Sequence, residues 1–183
     1  MNMCDKIDAA ITHFPNLEEE FLLSSDDHFY VRDADFQTIP IWSKGELPSE
    51  LSSGIYGDAN YTRCLVNTRR VLDVAGLPTI NCSQHCNTRF SKTLWRVLKN
   101  VFELANIIPQ GVEPSCVMGN AYIKYFGANP VHRKDCKIGE VSTSEILSKI
   151  GDRDCFSIYD VAIRSGVDGF LAKQFPDNSK FEM

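Results

Sequence analysis

The sequence predicts an α+β fold: a single helix-rich domain over residues 1–176, about six helices around a small antiparallel sheet, then a flexible tail at 177–183. Three observations carry this. Residues 61–78 and 91–107 place apolar side chains at three- and four-residue steps, the period of a helix with one buried stripe. Residues 28–31 (HFYV) and 36–42 (FQTIPIW) concentrate the aromatic and branched types that suit a half-buried strand. With 183 residues, 43% hydrophobic and 10% aromatic, the chain is large and apolar enough to build a core, which excludes a disordered polypeptide.

Taken in order, Cys4, Ile7, Ala10, Ile11 and Phe14 predict a short amphipathic helix that ends before Pro15. Asn16 then reads as the cap of a second helix, with Glu18, Glu19 and Glu20 at its positive end and Phe21, Leu22 and Leu23 on its apolar face. The two strand candidates follow, and residues 43–57 read as a loop, with a helical turn at 48–51. Asn60 caps the central helix, Cys64, Thr68, Val71, Leu72 and Ala75 form its stripe, Gly76 supplies the left-handed residue that closes it, and Pro78 forbids continuation. Residues 79–90 carry no period. The helix at 91–107 buries Leu94, Val97, Leu98, Val101, Phe102 and Ala105, and 109–114 ends it. Residues 117–126 suit a strand or a short helix, and 127–139 read as loop. Ser142-Thr-Ser-Glu145 is a capping box for a helix reaching Ile150. Two further helices are predicted at 157–165 and 168–175.

Composition narrows the function. No apolar run approaches the roughly 20 residues of a membrane span, and the acidic N-terminus lacks the basic residues and apolar core of a signal peptide. A cytoplasmic protein is therefore expected. Seven scattered cysteines, an odd number without tight spacing, argue for thiols in a reducing compartment rather than a disulfide framework. The net charge of −5 hides a segregation. Residues 1–60 hold 12 acids against 3 bases, 61–137 hold 4 against 11, and 138–183 hold 8 against 5. Such asymmetry points to an anion-binding middle segment, or to acidic and basic segments that pack against each other.

The leading expectation is accordingly an interaction protein. Its basic helical face comprises Arg63, Arg69, Arg70, Lys92, Arg96 and Lys99, with Trp95 as aromatic anchor, and its partner is a protein with an acidic surface. The net acidity makes nucleic acid the less favoured partner.

The alternative is a thiol hydrolase or transferase. Cys64 in the first turn of its helix would have its pKa lowered by the helix dipole and by Arg63, with His132 or His28 as the base. The pattern Cys64-x6-Val71-x3-Ala75-Gly76 resembles the nucleophile helix of papain-like peptidoglycan-cleaving amidases, over about 15 of the 183 residues. The resemblance implies a histidine after glycine in a strand following that helix, and no Gly-His pair occurs here. Cys82, Cys86, His132 and Cys136 offer four soft ligands for a zinc site, although Cys-x3-Cys is wider than the usual knuckle. No other cofactor is expected. Residues 157–168 resemble the first helix and turn of lac-repressor-type DNA-binding domains, but the next helix, GFLAKQF, is short and apolar, with one lysine and no arginine, asparagine or serine to read bases or phosphates.

Overall fold

The computed structural model describes residues 3–24, 27–33, 35–51, 59–104 and 111–176. The expected tail, much of the 43–57 loop and the end of the 91–107 helix lie outside the described residues. The protein is a helix-rich α+β fold, as expected, but among the described residues its strands form three small sheets rather than one. Backbone packing gathers the chain into two compact units. The first comprises residues 1–23, 36–84 and 88–134, and the second residues 24–35, 85–87 and 135–183.

In the first unit, helix α1 spans Met3–His13, α2 Ala59–Val74, α3 Lys92–Leu104 and α4 Pro114–Phe126. Strand β1 (Glu20–Leu23) pairs antiparallel with β4 (Thr88–Ser91). Strand β3 (Ile41–Ser43) pairs parallel with β5 (Pro130–His132). The predicted ending of α2 is present in full: Gly76 has φ 64°, its N–H donates to Asp73 O at 3.1 Å, and Leu77 N–H donates to Leu72 O at 2.9 Å. That pair of bonds is the Schellman closure.

The helix expected after Asn16 is instead strand β1. The acids that suggested it serve another helix: Glu19 Oε1 accepts Thr93 N–H at 2.8 Å and Ser91 Oγ–H at 3.1 Å, at the start of α3. Those bonds, the backbone one foremost, hold the Glu19 carboxyl below its ordinary pKa. A carboxylate found near a helix start in sequence need not cap its own helix.

Residues 117–126, ambiguous between strand and helix, belong to α4, which is buried without interruption from Pro114 to Tyr122. Gly119 permits this: a Cβ there would lie 2.7 Å from Cys82 Sγ and 3.3 Å from Ile41 Cγ2. The core of this unit includes Leu65, Leu72, Phe90, Trp95, Leu98, Phe102 and Met118. Phe90 and Phe102 flank the Trp95 ring at centroid distances of 5.3 and 5.8 Å.

In the second unit, β2 (His28–Tyr30), β7 (Cys155–Ile158) and β6 (Lys137–Ile138) form a sheet in the order β2-β7-β6. β2 pairs antiparallel and β6 parallel with the central strand β7. Residues 28–31 and 36–42 therefore do not share a sheet, as the sequence suggested; they contribute to different units. The helix expected from Ser157 is displaced too. Residues 155–158 are the sheet's central strand, and helical structure begins with α6 (Asp160–Ala162), is broken by a kink within Ile163–Val167 and resumes as α7 (Asp168–Gln174). Gly166, at φ 107°, makes the bend.

Helix α5 (Thr143–Ile150) starts where the capping box placed it. Ser142 donates both its N–H and its hydroxyl to Glu145 Oε2, at 2.9 and 2.6 Å. The second core centres on Phe156, between Phe29 and Phe170 at centroid distances of 5.4 and 6.0 Å, with Ile138, Ile146, Ile150 and Ala162 around it. Among the described residues no helix is long and apolar enough to cross a membrane.

Candidate functional site

The expected basic face lies on α2 and α3 of the first unit, and the structure divides it. Arg63, Arg70 and Arg96 are exposed and have no ion-pair partner among the described residues. Arg63 and Arg70 are seven residues apart, two turns of α2, so their Cα atoms lie about 10 Å apart on one side of the helix. The other three cations are engaged within the unit. Arg69 Nη1 donates to Leu47 O at 2.5 Å, Lys92 Nζ donates to Leu17 O, and Lys99 Nζ lies 2.6 Å from Asp8 Oδ2. Packing of the acidic segment against the basic one occurs here, with Asp8 neutralising Lys99, while the three arginines stay exposed.

Trp95 is not a surface anchor. Its side chain is 1% exposed, in the core, and its Nε1–H donates to Asp8 Oδ1 at 2.9 Å. The spacing explains the correction. Position 95 is three residues from Leu98 and seven from Phe102, which puts it on the apolar stripe of α3. Val97, expected inside, faces outward and is 55% exposed.

Cys64 lies in the second turn of α2, because the helix is already formed at Ala59. The favourable dipole acts on the first turn only. Burial and the Glu113 carboxylate push the Cys64 thiol up to about 12, away from an activated thiolate. Glu113 faces a group of such residues: it also raises Cys4, Cys116 and Tyr61, with burial the larger cause in each case. This corner is tightly bonded. Thr68 Oγ1–H donates to Cys64 O at 2.7 Å, and the Thr68 hydroxyl oxygen accepts Glu113 N–H at 2.8 Å.

Of the two expected bases, His132 is exposed on β5 of the same unit, and His28 belongs to the second unit. The His28 side chain is 6% exposed, with Nε2 3.6 Å from Asp27 Oδ1, and burial lowers its pKa. No hydrogen bond joins Cys64 to a histidine among the described residues.

The four expected zinc ligands divide between the units. Cys82 is buried in the first unit beneath Gly119, its thiol pushed up to about 12 by burial, and His132 is on that unit's surface. Cys86 and Cys136 belong to the second unit. Among the described residues no three His, Cys, Asp or Glu side chains gather as a metal site. The segment resembling a DNA-binding helix and turn begins in the central strand β7, so Ser157 and Ile158 are sheet residues rather than the start of a reading head.

Two arrangements were not found from the sequence. Arg133 stacks 5.1 Å above the Trp42 ring, adding an aromatic-backed cation to the first unit, and the run His132-Arg133-Lys134 was its only trace in the chain. In the second unit Asp135 holds His85 twice, accepting its backbone N–H at 3.0 Å and facing ring Nδ1 at 2.9 Å. The separation of 50 positions between these partners concealed the pair. Set against known proteins, the chain matches no family model, and no curated protein is similar to it in sequence.

Proposed function

We propose that this is a binding protein whose first unit engages an acidic partner protein through Arg63, Arg70 and Arg96. The supporting observation is that these three guanidiniums stand exposed while the other three cations of the face are consumed by the unit's own acceptors. Guanidinium is the cation suited to this role, since its planar fork matches a carboxylate with two parallel hydrogen bonds. The first unit holds 12 bases against 11 acids and the second 7 against 13, so the cations lie on the unit less able to repel an acidic partner. A thiol enzyme built on Cys64 has less support, because burial and Glu113 both favour the neutral thiol. Buried, protonated Cys4, Cys82 and Cys116 suit a reducing, cytoplasmic setting.

The test is fluorescence anisotropy with a labelled poly-glutamate peptide at low and at physiological salt, comparing wild type with Arg63→Glu/Arg70→Glu/Arg96→Glu. Each exposed pair contributes about 0.2–1 kcal/mol, so the triple variant weakens binding roughly 3- to 150-fold. Equal affinity for wild type and a normally folded triple variant refutes the proposal.

A further inference from the structure

The second unit carries a polar sheet face that the basic-face reading does not use. Alternation along β7 puts Phe156 and Ile158 on the core side and Cys155 and Ser157 on the other. Register places His28 of β2 and Lys137 of β6 on either side of Ser157. Ile158 N–H donates to Asp27 O and Val31 N–H to Asp154 O, which makes His28 and Ser157 a non-hydrogen-bonded pair, the kind whose side chains approach most closely.

Ser157 is fully buried, yet its hydroxyl has no hydrogen-bond partner among the described residues. A buried hydroxyl left unsatisfied is costly and calls for an occupant. Its surroundings indicate which one. Asp27 sets a carboxylate between the two flanking side chains, 3.6 Å from His28 Nε2 and 3.4 Å from Lys137 Nζ. Both distances exceed an ordinary charge-assisted hydrogen bond, and the carboxylate stops short of Ser157. Tyr159 backs the Lys137 ammonium, its ring centroid 4.6 Å from Nζ.

We propose that this face binds the carboxylate of a small ligand, with Ser157 Oγ–H and Lys137 Nζ–H donating to its two oxygens beside His28. Asp27 and Lys137 already balance each other, so a bound monoanion needs a further positive charge, and a phosphate dianion would need two. His28 supplies that charge by taking up a proton, which its burial most strongly disfavours. The groups that set its titration are Asp27, which favours the proton, Lys137 and His85, which oppose it, and Asn87, which hydrogen-bonds it. His85 is in turn held by Asp135. Carboxylate binding therefore strengthens as pH falls from 7.5 to 5.5.

The experiment is NMR titration of the His28 imidazole in the full chain with sodium acetate, against sodium chloride at equal ionic strength, at pH 5.5 and 7.5. Acetate is expected to shift His28 saturably, to raise its pKa, and to bind more tightly at the lower pH. Ser157→Ala removes one hydroxyl and leaves an unstrained strand residue; it is expected to fold normally and to weaken acetate at least about tenfold, the loss of one hydrogen bond to a charge. An acetate response no different from chloride overturns the proposal, as does one unchanged in Ser157→Ala. Saturable binding of inorganic phosphate without acetate binding overturns the assignment to carboxylate.

Discussion

Replacing Asp8 with Ala tests how the first unit's core is held. This carboxylate on α1 receives the Trp95 indole N–H at 2.9 Å through one oxygen and the Lys99 ammonium at 2.6 Å through the other. The two contacts are unequal in weight. Lys99 and Asp8 are about a third exposed, 36% and 30%, so screening limits their pair to at most about 1 kcal/mol. Trp95 is 1% exposed, and an indole N–H stranded there costs about 1–3 kcal/mol. Asp8→Ala should therefore destabilise the unit by about 1–4 kcal/mol, lowering its Tm by roughly 2–15 °C in a chain of this length.

Both tryptophans, Trp42 and Trp95, belong to the first unit, so intrinsic fluorescence follows its unfolding selectively. Trp95→Phe removes the donor, keeps most of the ring and leaves Trp42 as reporter. In that background Asp8→Ala should cost no more than about 1 kcal/mol, the Lys99 share alone. If Asp8→Ala costs the same in both backgrounds, the indole bond is not what holds Asp8 in place, and the division made above is wrong.

Two further outcomes follow from the packing. Iodoacetamide should alkylate Cys64 with no inflection below pH 9, because a thiol pushed up to about 12 is ionised to a negligible extent at neutrality. Mass spectrometry of the Cys64 peptide, with Cys64→Ala as control, checks this, and a half-reaction near or below pH 8.5 would contradict it. Gly119→Ala should cost about 1–3 kcal/mol by driving a methyl into Cys82 Sγ, 2.7 Å away. Combined with Cys82→Gly, it should be less damaging than the two changes added; strict additivity would disprove the clash.

What could be read from the chain was what is local. The Schellman ending at Gly76, the box at Ser142–Glu145 and the periodic helices α1, α2 and α3 are written within a few residues of themselves. Pairing between distant segments was not legible. Strands β4, β5 and β6 are two to four residues long, too short to show a period, and each exists because of a distant partner. The same holds at the candidate sites. Exposure of Arg63 and Arg70 followed from helical spacing, but the loss of Lys92, Lys99 and Trp95 to internal acceptors depended on Leu17 and Asp8, more than 70 residues away. Ser157 gave no signal, since a serine in an apolar run marks neither a site nor a strand until its neighbours across the sheet are known.

The second unit is assembled from three separate stretches, and this sets a timetable during synthesis. Strand β2 leaves the ribosome early, but its partner β7 follows about 125 residues later. At 5–20 residues per second the wait is roughly 6–25 s. Through that interval the His28–Tyr30 backbone and the aromatic ring of Phe29 have no sheet to join. The nascent chain is most exposed to mispairing with other chains then, and translation speed between residues 30 and 155 becomes a determinant of yield.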